Sequence, residues 1–465
     1  MSNRFQTISP VDNSIYVQRT FADDQEIDQA LTRASSDCQE WKNVGLEARK
    51  DACRKAVAWL VDRASEIGSE ISWQMGRPVR YSPLEIKSGL KERAEYMIDI
   101  AERALEDVVP ASKEGFQRYI KREPLGTVLV LAPWNYPFLT AINAILPALI
   151  AGNCVILKHA TQTPLVAERF LQAFQAAGLP AGVFQMLHMS HEMVAKTISD
   201  QRIAYVAFTG SVEGGLAVQR AIGTRFISAG LELGGKDAAY IRADADVTYS
   251  VANVTDGAFF NSGQSCCGIE RVYVHASVFD QVVEGISAEV KKYILGNPLD
   301  PDTTLGPMVR PQAAQGVRNQ IQAAMSQGAT ALIDDKLFPR SEPGSSYLAP
   351  QVLINVSHNM ALMREETFGP VVGIMKVHSD DEAIAYMNDS RYGLTASIWS
   401  DDAGAAMRIG DQLETGTVFL NRCDYLDPAL AWTGVKDSGK GCTLSTIGYE
   451  ALTRPKSYHF RLNSV

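Results

Sequence analysis

At 465 residues the chain exceeds what one hydrophobic core normally organises, so two or three domains are expected. Its 46% apolar and 21% charged residues exclude the disordered class. A formal charge of −9, from 44 Lys+Arg against 53 Asp+Glu, argues against nucleic acid or an anionic membrane as a partner.

The start, Met1-Ser2-Asn3-Arg4-Phe5-Gln6, has no apolar run of the kind a secretory signal needs. Between residues 24 and 105, apolar residues at three-to-four spacing (Ile27, Leu31, then Cys53, Ala56, Val57, Leu60, Val61) predict helices. Gly76-Arg77-Pro78 breaks them, and the charged run 87–95 reads as a solvated helix face. Residues 116–123 alternate, predicting a strand of a hairpin that turns at Pro124-Leu125-Gly126 into a buried strand at 127–132. A helix at 138–151 and a strand at 154–157 follow; Asn143, Pro147, Gly152 and Asn153 interrupt this apolar stretch too often for a membrane span.

Next come a helix at 164–177, strands at 183–187 and 203–208, a helix at 212–222 and a strand at 225–229. Alternation of this kind predicts a parallel, doubly wound sheet, which binds ligands at the carboxyl ends of its strands. A second series begins near Tyr240, with strands at 272–274, 373–375 and 396–399 and a helix at 278–293, and predicts a second α/β domain. The tail, 456–462, alternates and predicts an exposed edge strand, hence subunit pairing. Seven scattered cysteines without a CxxC spacing point to a reducing, cytoplasmic setting. His188 and His191 lack a third ligand, so no metal is expected.

Cys266, in Phe259-Phe260-Asn261-Ser262-Gly263-Gln264-Ser265-Cys266-Cys267, follows a glycine that lets the backbone approach a ligand, as a nucleophile would need. Taken alone it also reads as a small buried hydrophobe, and Cys267 reads as packing. Glu232, in Leu231-Glu232-Leu233-Gly234-Gly235-Lys236, is a carboxylate among apolar residues and suits a general base; a core ion pair is the other reading. Asn135, in Pro133-Trp134-Asn135-Tyr136-Pro137, offers an amide to an oxyanion, or is a turn residue. Thr209-Gly210-Ser211 lies between strand and helix, where phosphate binds, though without GxGxxG spacing. Residues 230–237 and 434–441 match a P-loop except at the Ser/Thr that meets Mg²⁺.

Together these motifs are specific. The sequence resembles the aldehyde dehydrogenase superfamily, with PWNYP at 133–137, FTGS at 208–211, LELGGK at 231–236, GQSC at 263–266, EETFGPV at 365–371 and Lys436-Asp437-Ser438-Gly439 in order. The likeness is dense from Arg122 to Gly441 and diffuse before that. It implies two doubly wound α/β domains plus a small β oligomerisation element. The implied limits are 1–110 and 129–235 for cofactor binding, 236–436 for catalysis, and 111–128 with 437–465 for a bridging element in a homodimer or homotetramer.

The resemblance further implies oxidation of an aldehyde with NAD or NADP. Cys266 would be the nucleophile, Asn135 with the Cys266 backbone N–H the oxyanion site, and Glu232 the base that activates water. Lys158 would contact the adenosine ribose, Ser211 the pyrophosphate, and Glu366 the nicotinamide ribose with Phe368 beside it. Trp134, Thr161, Gly210, Gly215, Leu233 and Gly234 would complete the cofactor site. His159 and Thr161 replace a proline and an acidic residue usual in the family, which predicts that both cofactors are accepted.

Phe138, Thr140, Asn143, Phe259, Phe260, Ser265, Tyr425, Leu426 and Trp432 are expected to line the substrate pocket and suit an uncharged aldehyde. Arg422 is the nominated cation for a carboxylate-bearing substrate such as succinate semialdehyde, with a structural role beside Asp424 and Asp427 as the other reading. Ala431-Trp432-Thr433-Gly434 and Gly441-Cys442-Thr443 depart from the family pattern. A CoA-acylating enzyme and a P-loop nucleotide-binding protein are the competing readings.

Overall fold

Apolar, β-branched runs bounded by glycine and proline form the strands of two sheets. The computed structural model describes residues 4–462; residues 1–3 and 463–465, which the expected limits and the reading of the amino terminus include, lie outside the described residues. Strand Thr127–Ala132 is buried along its whole length, as a strand covered on both faces must be. It lies inside a six-stranded sheet whose order, edge to edge, is Gly439–Lys440, Ser228–Glu232, Ile203–Thr209, Thr127–Ala132, Cys154–His159, Phe184–Met186. Only Gly439–Lys440 runs antiparallel to its neighbour. After Thr127–Ala132 the chain builds outward on one side, then returns to the other with Ile203–Thr209. That reversal opens a crevice at the carboxyl ends of these two strands, where Pro133–Asn135 and Thr209–Ser211 emerge.

The second sheet has the order Thr330–Ala331, Gln351–Ile354, Val371–Val377, Ile269–His275, Asp237–Ile241, Thr395–Trp399, Thr417–Leu420. Apolar clusters cover its two faces, one around Tyr273, Met363 and Ile398 and the other around Phe259, Val272 and Trp399. Helices Val247–Phe259, Phe279–Val290, Pro311–Ser326, Asp380–Asn388 and Ala403–Gly410 accompany it. The first domain draws its core from its own sheet and the amino-terminal helices Asp24–Trp41, Leu46–Asp62, Ala64–Met75 and Lys91–Ala104. No helix among the described residues is long and apolar enough to cross a membrane.

Three expectations need correction. The strand placed at 225–229 lies at Ser228–Glu232, because Arg225 turns inward to donate to the carbonyls of Ile198 (2.6 Å) and Ile203, holding its segment as a loop. Strand Phe116–Pro124 does not form a hairpin with the buried strand; it pairs antiparallel with Thr453–Arg461, where Tyr119 stacks on Tyr458 at 4.5 Å. The run 87–95 is solvated at Lys87, Lys91, Glu92 and Glu95, but Arg93 within it turns inward and is buried with Leu90 and Ala94.

Candidate active site

The loop before Cys266 holds three consecutive left-handed residues, Asn261, Ser262 and Gly263, at φ 53°, 56° and 68°. Gly263 is required there, because a Cβ would strike the carbonyl of Gly369. The cost of two non-glycine left-handed residues is offset by buried hydrogen bonds. Arg77 Nε donates to Asn261 Oδ1 (3.1 Å), Ser262 Oγ to the Gly306 carbonyl (2.8 Å), and Val309 N–H to Gln264 Oε1 (2.8 Å). Cys266 emerges from this braced turn half-buried.

Asn135 is fixed from the other side. Its Nδ2 donates to the Gln264 carbonyl at 3.2 Å, and its own carbonyl accepts from Arg77 Nη2 and from Asn261 Nδ2 (3.3 Å). Arg77 is in turn paired, fully buried, with Glu85, whose other oxygen accepts the N–H groups of Phe138 (2.7 Å) and Leu139 (3.0 Å) at the start of helix Pro137–Ala151. Arg77, which in sequence reads only as part of a helix break, sets the register between Asn135 and the cysteine loop.

Glu232 ends strand Ser228–Glu232 opposite Thr209. Thr443 Oγ1 donates to its Oε1 at 2.5 Å and Thr209 Oγ1 to its Oε2 at 3.0 Å. Burial pushes its pKa up and prevails over these two donors and the positive field of Arg93, which pull it down. Glu366 sits at Gly234, where a Cβ would collide with its carboxylate, and accepts Gly235 N–H at 3.1 Å. Burial, then the charge of Glu270, raise Glu366 to about 7.

Lys236 disposes of the P-loop reading: its side chain is fully buried, ion-paired with Glu270 Oε2 (2.6 Å) and donating to Thr367 Oγ1 (3.0 Å), out of reach of a phosphate in solvent. Residues 434–441 form two short strands, with Lys440 Nζ on Gln219 Oε1 at 3.2 Å.

Three cavities adjoin in a row, and Cys266 lines the middle one and one of its neighbours. The middle one, about 170 Å³, is lined by Trp134, Asn135, Gly210, Ser211, Glu232, Leu233, Gly234, Cys266, Glu366 and Phe368. Beyond Trp134 it continues into about 570 Å³ with Lys158, Arg310 and the start of helix Val212–Ile222. On the other side Cys266 and Glu232 face about 640 Å³, walled by Phe260, Ser265, Tyr425, Leu426 and Trp432 and also by Arg93, Tyr136, Asp424 and Arg422. A dinucleotide fits this arrangement: Lys158 has no ion partner among the described residues, burial lowers its pKa to about 8, and it faces a cavity that a helix N-terminus borders.

Some expected contacts lie elsewhere. Phe138 and Phe259 are fully buried, packed on Phe170 and Tyr293, and face no cavity. Thr161 is exposed on a turn, its carbonyl accepting from Thr7 Oγ1 at 2.7 Å. Gly215 makes room for Leu233 rather than for a ligand. His159 points inward to the Pro137 carbonyl (3.1 Å) and Thr163 (3.0 Å), and burial drops its pKa to about 3. Arg422 pairs with neither Asp424 nor Asp427; it stacks on the Tyr425 ring at 3.6 Å. Asp424 instead accepts from Ser265 Oγ (3.0 Å) and Cys267 Sγ (2.9 Å), with its pKa raised by burial to about 6. Cys267 therefore does more than pack: it braces the turn behind Cys266. Arg93, Asp256 and Asp424 are charged residues of the substrate cavity that sequence reasoning missed; spacing offered one clue, since Arg93 stands three after Leu90 and four before Met97 on an apolar face.

The sequence profile of the aldehyde dehydrogenase family matches residues 1–458. The chain belongs to this family. An aldehyde dehydrogenase of Paenarthrobacter nicotinovorans is 34% identical over 439 residues, covering 93% of this chain and 94% of its own. A succinate semialdehyde dehydrogenase [NAD(P)+] of Escherichia coli is 32% identical, covering 91% and 90%. The crystal structure of succinic semialdehyde dehydrogenase from Streptococcus pyogenes with NADP+ superimposes with a TM-score of 0.92 at 29% identity, over 98% of this chain and 100% of that one. The aldehyde dehydrogenase fold and the dependence on NAD or NADP follow from these likenesses.

Proposed function

We propose that this aldehyde dehydrogenase oxidises its substrate to a carboxylic acid through a thioester on Cys266, hydrolysed by water that Glu232 activates. The observation that carries the reading is the single cavity on which Cys266, Glu232 and Asn135 meet between a dinucleotide-sized crevice and a substrate-sized one. Cys266 attacks the carbonyl carbon as thiolate, and the Asn135 amide with the Cys266 backbone N–H holds the oxyanion. The nicotinamide cofactor, when bound, supplies the hydride acceptor. Glu366 and Lys158 would anchor it. Glu232, its pKa raised by burial, then takes a proton from the water that attacks the thioester, and the acid departs as Cys266 regains its thiol.

Lys158 and Arg310 on the cofactor wall support use of both NAD and NADP. The aromatic walls of the substrate cavity suit an uncharged aldehyde. A semialdehyde of a dicarboxylic acid is the second reading, supported by the relatives named for succinate semialdehyde and by the arginines on that wall. Glu232 supports hydrolysis rather than transfer to CoA, and a product unchanged by added CoA would bear this out. Cys266→Ala is expected to abolish oxidation with either cofactor while cofactor binding persists; retained turnover would sink the mechanism.

A further inference from the structure

Helix Lys91–Ala104 brings one arginine to the substrate cavity. Arg93 is only 9% exposed, yet no carboxylate pairs with it among the described residues. Its Nη1 donates to the Leu139 carbonyl (3.0 Å) and Asn143 Oδ1 (3.4 Å), both neutral, and among the described residues no partner holds Nη2 or Nε. A buried guanidinium without an anion is costly, so an anionic ligand would relieve it. Three nearby carboxylates are engaged: Glu232 accepts from Thr443 and Thr209, Asp424 from Ser265 and Cys267, and Glu85 pairs with Arg77; Asp256 also lines the cavity, and burial raises its pKa.

We propose that Arg93 is the carboxylate anchor of the substrate cavity, selecting short aldehydes whose far end carries a carboxylate, with Arg422 at the mouth contributing only a guiding charge. The guanidinium fork matches a carboxylate in two parallel hydrogen bonds, which a neutral alkyl end cannot use. Asn143 and the Leu139 carbonyl hold one side of the fork and leave the other for the ligand. Arg93 lies in the same electrostatic neighbourhood as Cys266 and Glu232, since their charges act on it, while burial lowers its pKa. An anchored carboxylate would hold the opposite end of a short chain at the thiol.

This inference rests on the proposed reaction at Cys266 and favours the dicarboxylic semialdehyde over the uncharged aldehyde as its substrate, and its test separates the anchor from the reaction. The readout is the ratio of kcat/KM for succinate semialdehyde to that for butanal, a neutral aldehyde of equal length. Arg93→Met is expected to lower the ratio about 100-fold, the worth of a bidentate charged contact. Arg93→Lys, which keeps the charge without the fork, should fall between. An unchanged ratio, with both substrates slowed alike, overturns the anchor and leaves the reaction standing. Binding of 4-hydroxybutanoate to Cys266→Ala reads the anchor without turnover. It should weaken about 100-fold when Arg93→Met is added, and undiminished binding overturns the proposal.

Discussion

Glu232 is held by two hydroxyls, and the second of them, Thr443, stands where the family usually has glutamate in a Gly-Arg-Glu run. Both hydrogen bonds stabilise the carboxylate and oppose the upward push of burial. Removing the Thr443 donor therefore lets Glu232 keep its proton to higher pH. In Thr443→Val the acidic limb of hydrolysis is expected to move up by about one pH unit, since hydrogen bonds to charged groups contribute about 1.5–3 kcal/mol. Single-turnover decay of the thioester across pH measures this, and a limb that stays in place would show that Thr443 does not tune the base. Cys266, Glu232 and Asn135 were legible in sequence because each sits in a short motif whose neighbours constrain the same backbone. Thr443, Arg77 and Arg93 were not legible as site residues, because what gives each its role lies on elements far away in sequence, and local patterns do not encode such meetings.

Lys236 and Glu270 tie elements together rather than bind ligand. The pair joins strand Ile269–His275 to the segment that begins strand Asp237–Ile241, and Glu270 also accepts the N–H groups of Thr367 and Phe368, each at 2.8 Å. The loop that carries Glu366 and Phe368 to the central cavity is thus held at two backbone N–H groups by one buried carboxylate, beside the contacts of Thr367 Oγ1 with Lys236 and Gln320. Glu270→Ala would strand the ammonium of Lys236 and is expected to destabilise the protein by about 3–5 kcal/mol. Denaturant unfolding measures the loss. The double change Lys236→Met with Glu270→Leu, which leaves no buried charge, should recover most of that stability while KM for the cofactor stays raised, because the loop has still lost its acceptor. If KM recovers too, the loop is held by something else. At this scale the parallel strands were legible from their apolar runs, and the strand holding Glu232 was misplaced only at its start. The partner of Phe116–Pro124 was not, because strand alternation encodes a face and not the identity of a distant neighbour.

The ribbon formed by Phe116–Pro124 and Thr453–Arg461 is a two-stranded sheet with most of its carboxyl-terminal strand exposed. A lone two-stranded ribbon is marginal in water, so its nine paired positions call for cover from elsewhere. Phe460 is 48% exposed on it, while the outermost strand of the second sheet, Thr417–Leu420, shows Val418 and Leu420 to solvent at 41% and 40%. A ribbon that shows Phe460 to solvent and an open sheet edge on one chain are surfaces that a second copy could cover, and an unpaired edge accepts a partner's backbone readily. Assembly as a homodimer or homotetramer is therefore expected to depend on the ribbon. Cleaving the chain after Leu452 removes one strand while keeping the Leu452 carbonyl that Asn153 Nδ2 holds at 3.0 Å, so the first domain retains its anchor. Light scattering should then report the mass of a single chain, whereas an unchanged multiple would place the subunit contact on another surface.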